Sequence, residues 1–189
     1  MGTFFLLSTP NVSNSRVNET LEQCIERYGE PTKLYKRAGT TGVLGKVHSD
    51  FAEFGKGEFK IETFFYENVC YKIWYSKPDP IQPKLSVELS RSEILVLLNK
   101  NGGLDWKIDR DFDWSPRSND DSHSFSWIAT TADDISLLAQ HQYNDGRDYN
   151  TLSIINRKTY RIVLKLLEAD REEKKQKRLK EKEKTLKGF

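Results

Sequence analysis

Three aspartates at alternate positions, Asp109, Asp111 and Asp113 in "KIDRDFDWS", form the acidic group best spaced to hold a cation. A calcium loop that opens this way also requires glycine at its sixth place and glutamate at its twelfth. Trp114 and Asp120 stand there instead. The stretch reads better as a strand, with Ile108, Arg110, Phe112 and Trp114 on one side and the aspartates in water. Glycoside chemistry needs a pair of carboxylates set apart from the rest, and nothing in the chain singles out two. "GTTGVLGK", residues 39–46, has the glycines and lysine of a phosphate loop, but its glycine spacing is too short and Val47 follows the lysine where Ser or Thr is required. It reads as a hairpin tip. His48, His123 and His141 lack metal-ligand spacing, and no G-x-S-x-G elbow occurs. The expectation is a chain with no catalytic residue, no metal and no cofactor.

Cys24 and Cys70 are the only cysteines. Cys24 lies on the apolar stripe of "TLEQCIERYGEP" and Cys70 in the segment "FFYENVCYKIWYSK", so a helix packed on a sheet brings them within reach. Two readings stay open. A disulfide would add about 4 kcal/mol by closing the loop between them and would imply an oxidising compartment. Two reduced cysteines would act as small buried hydrophobes.

The same segment is dense in aromatic residues, with six of its fourteen positions Phe, Tyr or Trp. With Glu67-Asn68 as a two-residue loop, Phe65 pairs with Cys70. Strict alternation then puts Phe59, Ile61, Phe65, Cys70 and Trp74 on one face, and Phe64, Tyr66, Val69, Tyr71, Ile73 and Tyr75, with Lys60 and Glu62, on the other. A Cys24–Cys70 bond would assign the first face to the helices. The second is either a tyrosine-rich protein-binding surface or is buried under the second half of the chain. Phe64, Tyr66, Tyr71 and Tyr75 are the candidate anchors.

The elements that must position these residues are read from periodicity and caps. Val17, Leu21, Cys24, Ile25 and Tyr28 share one helical face, stopped by Gly29 and Pro31. Strand composition follows at 34–37, 47–54, 59–66 and 69–76, then the proline-rich bridge "SKPDPIQPK". A second helix opens with a Ser90/Glu93 capping box and ends at Gly102-Gly103. Strand-like stretches at 106–112, 125–130, 135–143 and 152–155 precede a helix from Arg157 onward. The expected fold is α+β, two helices on antiparallel sheet in the order helix, about four strands, helix, three to four strands. It makes one domain over 16–156, with room for two helix-sheet halves, plus a long charged C-terminal helix over 157–189. Residues 1–15 read as a truncated signal peptide, a first strand or a disordered N-terminus.

The formal net charge of the 189-residue chain is +2. The segment 168–187 holds nine Lys or Arg against six Asp or Glu, a net of +3, which leaves the rest at −1. A nearly neutral body gives no general field for nucleic acid, and no run approaches the roughly 18 apolar residues of a membrane-spanning helix. Asn11-Val12-Ser13 and Asn18-Glu19-Thr20 match glycosylation sequons.

"TLEQCIERYGEPTK", "FKIETFFYENVCYKIWYSK", "LSRSEILVLLNKNGGLDW" and Trp114 together resemble a group of uncharacterised secreted or periplasmic bacterial proteins. Those are similar in layout to the beta-lactamase-inhibitory-protein-like fold, shared in outline with small outer-membrane-assembly lipoproteins. The resemblance covers residues 17–155. It implies helices on one side of an antiparallel sheet, partner proteins bound by the other side or by loops, and Cys24 with Cys70 as a structural pair. The chain departs from the pattern in its incomplete signal peptide, in lacking a lipidation cysteine near its start and in its charged terminal helix. The expected function is a non-enzymatic, extracytoplasmic protein-interaction module, inhibitor-like, with a protein partner. The alternative is an intracellular nucleic-acid-associated protein that uses the lysine-rich terminal helix.

Overall fold

The computed structural model describes residues 16–35, 50–101, 105–109, 122–131, 134–144 and 150–186. The expectations placed on residues 1–15, the 39–46 loop, Gly102-Gly103, Asp111, Asp113 and Trp114 lie outside the described residues.

Among the described residues there are three helices: α1 (Leu21–Tyr28), α2 (Arg91–Lys100) and α3 (Arg157–Leu186). Each of the first two opens on a complete capping box, Thr20 with Gln23 and Ser90 with Glu93, which satisfies two backbone donors that the first turn leaves orphaned. Gly29 ends α1 at φ 90°, a region costly for any other residue, and its N–H donates to the Ile25 carbonyl at 2.8 Å. Val17 precedes α1 rather than belonging to it, yet it is fully buried.

The strands are β1 (Lys33–Tyr35), β2 (Phe51–Lys56), β3 (Phe59–Tyr66), β4 (Val69–Pro78), β5 (Ser86–Val87), β6 (Lys107–Ile108), β7 (Ser122–Thr130), β8 (Ser136–Asn144) and β9 (Thr151–Asn156). All pairings are antiparallel, in the order β1-β2-β3-β4-β9-β8-β7-β6, with β5 attached to β4. The architecture is the expected α+β, with a long C-terminal helix. Among the described residues the nine strands exceed the seven or eight expected, because the segment after the proline bridge supplies β5, which pairs with the end of β4. The order shows how the two halves combine: each is a helix followed by a strand meander, and their last strands, β4 and β9, pair at the centre of one continuous sheet.

One face of that sheet carries the core. Phe54, Ile61, Phe65, Ile73, Tyr75, Leu152 and Ile154 meet Leu21 and Cys24 of α1 and Ile94, Leu97 and Leu98 of α2 in one buried cluster. The first turns of α3 lie against β4, β8 and β9. From Arg171 to Glu183 every residue of α3 is exposed.

Candidate functional site

Both central residues of the Glu67-Asn68 loop take positive φ, 51° and 64°. That is the type I′ geometry whose twist matches the flanking strands, and it sets Phe65 opposite Cys70 and Tyr66 opposite Val69 as expected. The register then shifts. Phe65 pairs with Cys70 but Phe64 pairs with Lys72, so Tyr71 is an extra residue on β4, a β-bulge. Beyond a one-residue bulge the alternation inverts, and every later side chain changes face. Ile73 and Tyr75 join Cys70 on the helix side, fully buried, while Lys72 and Trp74 emerge on the outer face.

This bulge corrects the expected set of anchors. Tyr75 is core: its ring is fully buried, and its hydroxyl donates to Asn101 Oδ1 at 3.1 Å and accepts from Asn101 Nδ2 at 3.0 Å. Tyr71 is buried too, stacked on Tyr160 of α3 with ring centroids 6.4 Å apart. Phe64 and Tyr66 are half-buried on the outer side of β3. Trp74, assigned to the helices by strict alternation, belongs with Phe64, at 5.1 Å edge to face.

The outer face carries an aromatic row that crosses four strands. Tyr35 of β1 meets Phe51 of β2 at 5.8 Å, Phe51 meets Phe64 of β3 at 5.3 Å, and Phe64 meets Trp74 of β4. Tyr35 is 61% exposed and the other three are half-buried. A charged row runs beside it: Lys33 pairs with Glu53 at 3.1 Å and Lys60 with Glu62 at 3.5 Å. Lys72 closes the aromatic row, its Nζ 4.1 Å from the Trp74 ring centroid, 5.4 Å from Phe64 and 5.5 Å from Tyr160. Burial pushes the Lys72 ammonium down to about 8, with Glu62 opposing. The rings hold the cation by their quadrupoles, so at neutral pH it is charged and close to its titration point. Next to it a cleft of about 390 Å³ opens between the sheet and the 83–86 segment, lined by polar groups that include Gln140, Gln142 and Ser153.

No family model, curated protein or solved structure matches this chain.

The cysteines require a second correction: no disulfide is present, and Cys24 and Cys70 are free, fully buried thiols. They do meet across the helix-sheet contact. Burial raises the Cys70 thiol well above its ordinary value, and its hydrogen bond with Cys24 adds to the shift. Cys70 also donates to the Lys72 carbonyl at 3.5 Å. Both behave as the small hydrophobes of the second reading. The contact is fixed by backbone: Asn18 donates to the Cys70 carbonyl at 2.7 Å and Cys70 to the Glu19 carbonyl at 2.8 Å. Glu19, itself buried, takes a bidentate grip from the Arg27 guanidinium. The sequon at Asn18 is absorbed into this joint, since Asn18 Oδ1 accepts from Asn156 Nδ2 at 2.8 Å and Thr20 caps α1.

Strict alternation misses Trp74 and Lys72 because a bulge has no reliable mark in a single strand; Tyr35, Phe51 and Tyr160 join the set only through pairing and helix docking. A second group also escapes the sequence. Arg16, Tyr28, Tyr75 and Asn101 converge from four places in the chain, with Arg16 Nη1 donating to Tyr28 Oη at 3.3 Å and to Tyr75 Oη at 3.4 Å.

Proposed function

We propose that this protein is a non-enzymatic interaction module that captures a protein partner on the outer face of β1–β4. The observation that supports it is the row Tyr35–Phe51–Phe64–Trp74, four rings in continuous contact, Tyr35 exposed and the other three half-buried, flanked by paired charges. Aromatic anchors inside a polar rim are the composition of interface hot spots. Of the anchors expected from sequence, Phe64 and Tyr66 remain in the reading, joined by Phe51 and Trp74. Lys60, Lys72 and Lys84 against Glu62 make the adjoining cleft cationic, which favours an acidic segment of the partner there.

The test is capture and cross-linking of a partner from the source cell with the full-length chain as bait, repeated with Phe64→Ala and Trp74→Ala combined. The double variant should keep the parent's circular dichroism and lose the captured partner. A folded double variant that captures the same partner as the parent would sink the reading. The module is read as extracytoplasmic, on the strength of the resemblance and without help from the thiols; recovery of the native protein in the cytosolic fraction would overturn that part.

A second reading rests on α3. Arg171, Lys174, Lys175, Arg178 and Lys182 line one side of the helix at three- and four-residue steps, a cationic stripe suited to a phosphate backbone. Lys174→Glu with Arg178→Glu should then abolish a salt-sensitive association with duplex or single-stranded nucleic acid. Equal, weak binding by parent and variant would remove this reading.

A further inference from the structure

A cleft of about 460 Å³ lies on the helix side of the sheet, between the end of α1 and the face of α2, remote from the aromatic row. Its volume falls in the range of small-molecule sites, roughly 300 to 1,000 Å³. Phe59, Ile61, Val96 and Leu97 give it apolar walls, and Arg16 lies among them. Such a lining, mostly apolar with a few convergent polar groups, is what small ligands use for orientation.

Arg16 is the informative residue. Its guanidinium cannot shed its charge in a protein, and it is half-buried. Arginine so placed is ordinarily paired with a carboxylate. Here Nη1 is held by the two tyrosine hydroxyls, the guanidinium carbon lies 5.5 Å from the Tyr28 ring centroid, and Nε is buried with no hydrogen-bond partner among the described residues. Among the described residues no carboxylate pairs with it. The two acids that line the cleft, Glu58 and Glu93, are both engaged by Lys77, at 2.7 and 3.1 Å. Lys56 and Lys100 line the cleft as well and also lack a carboxylate partner among the described residues. The site is thus electropositive, apolar-walled and short of one anion.

The Arg16 environment is held in place rather than adventitious. Tyr28 and Tyr75 hydroxyls stand 3.3 Å apart, Tyr75 is locked to Asn101, and Asn101 Nδ2 donates to the Leu97 carbonyl at 2.6 Å. A fully buried asparagine and tyrosine therefore link the arginine to both the sheet and α2. Donors whose geometry is fixed by packing bind without the cost of ordering them.

We propose that this inter-helix cleft binds a small apolar carboxylate, its alkyl or aryl part against Phe59, Ile61, Val96 and Leu97 and its carboxylate on Arg16. The site is independent of the protein-binding face: a ligand here need not alter partner capture, and either reading stands without the other.

The probe is sodium octanoate, titrated calorimetrically into the full-length protein, with n-octanol as the neutral analogue of the same tail. Octanoate should bind, and n-octanol should bind about tenfold or more weakly, since a charge-assisted contact is lost. Arg16→Gln should erase the difference between the two probes. Because Arg16 also braces two tyrosines, Val96→Glu provides a second arm: Val96 is 50% exposed on α2, so the change leaves the fold intact and places a negative charge in the cleft wall. It should weaken octanoate by more than it weakens n-octanol, which loses only the Val96 contact with its tail. No binding of octanoate, equal binding of both probes by the parent, or a Val96→Glu protein that binds octanoate like the parent would overturn the proposal.

Discussion

Lys72 stands at the junction of the aromatic row and the cationic cleft, and its position has an energetic consequence that can be measured alone. Folding moves its ammonium from water to a site where burial lowers its titration point to about 8, against about 10.4 in an unfolded chain. Below pH 8 the lysine is charged in both states, and the folded state bears the full penalty. Between about 8 and about 10.4 the unfolded chain keeps the proton that the folded chain has released, so stability from this group rises with pH. Lys72→Met should therefore be more stable than the parent at pH 7, with an advantage that shrinks as pH climbs through that window. Urea midpoints of both proteins from pH 7 to 10 check it; a constant difference would mean that the three rings neutralise the burial penalty. Cys24 and Cys70 illustrate the opposite case, in which the residue type points to chemistry and the environment removes it. Both thiols are fully buried and burial holds Cys70 in its protonated form, so neither cysteine has the solvent access that reactivity demands.

At the scale of elements, the hairpin β3–β4 decides which aromatics are available. Its turn was legible: Glu67-Asn68 between two runs of β-branched and aromatic residues predicts a two-residue loop, and the observed register around it agrees. Its bulge was not legible, because Tyr71 suits a regular strand as well as an extra place in one, and the stack on Tyr160 that holds it comes from α3, eighty-nine positions later by residue number. Deleting Tyr71 tests how much depends on it. Without the extra residue Cys70 joins directly to Lys72, so the pairs Phe65–Cys70 and Phe64–Lys72 become consecutive and Ile73 and Tyr75 keep their places on the helix side. Tyr75 alone, if truncated to alanine, should cost about 3 to 5 kcal/mol. The deletion should therefore keep a cooperative urea transition at a lower midpoint, through loss of the Tyr71 ring from its stack on Tyr160; loss of cooperativity would show that the sheet requires the bulge itself. The helices contrast with the hairpin. The stop of α1 and the start of α2 were readable because such signals are local, Ser90 and Glu93 satisfying one another's backbone within a single turn; the start of α1 was read too early, at Val17, and its Thr20–Gln23 box was missed.

For the whole molecule, α3 divides into a docked part and a projecting part. Tyr160 stacks on Tyr71, and Val163 is buried, while the helix from Arg171 to Glu183 is exposed. A chain ended after Arg171 should melt within a few degrees of the parent. One ended after Asn156 should lose about 2 kcal/mol or more, the scale of uncovering one large apolar side chain. Calorimetric melting of the two truncations separates them, and equal losses would mean that the projecting turns also contribute to the fold. Taken alone, the sequence determined the α+β class, the order of helices and main strands, the capped start of α2, the hairpin loop and the charged terminal helix. All of these rest on residues within a few positions of one another, where propensity and periodicity act directly. Only the tertiary structure decided that the two halves share one sheet through β4 and β9, that Tyr71 and Tyr75 are buried while Trp74 is not, and that Arg16 meets Tyr28, Tyr75 and Asn101 beside an inter-helix cleft. Those outcomes depend on register and on contacts between distant parts of the chain. A single inserted residue inverts a strand's faces, and no local pattern records which residues from other elements will meet there.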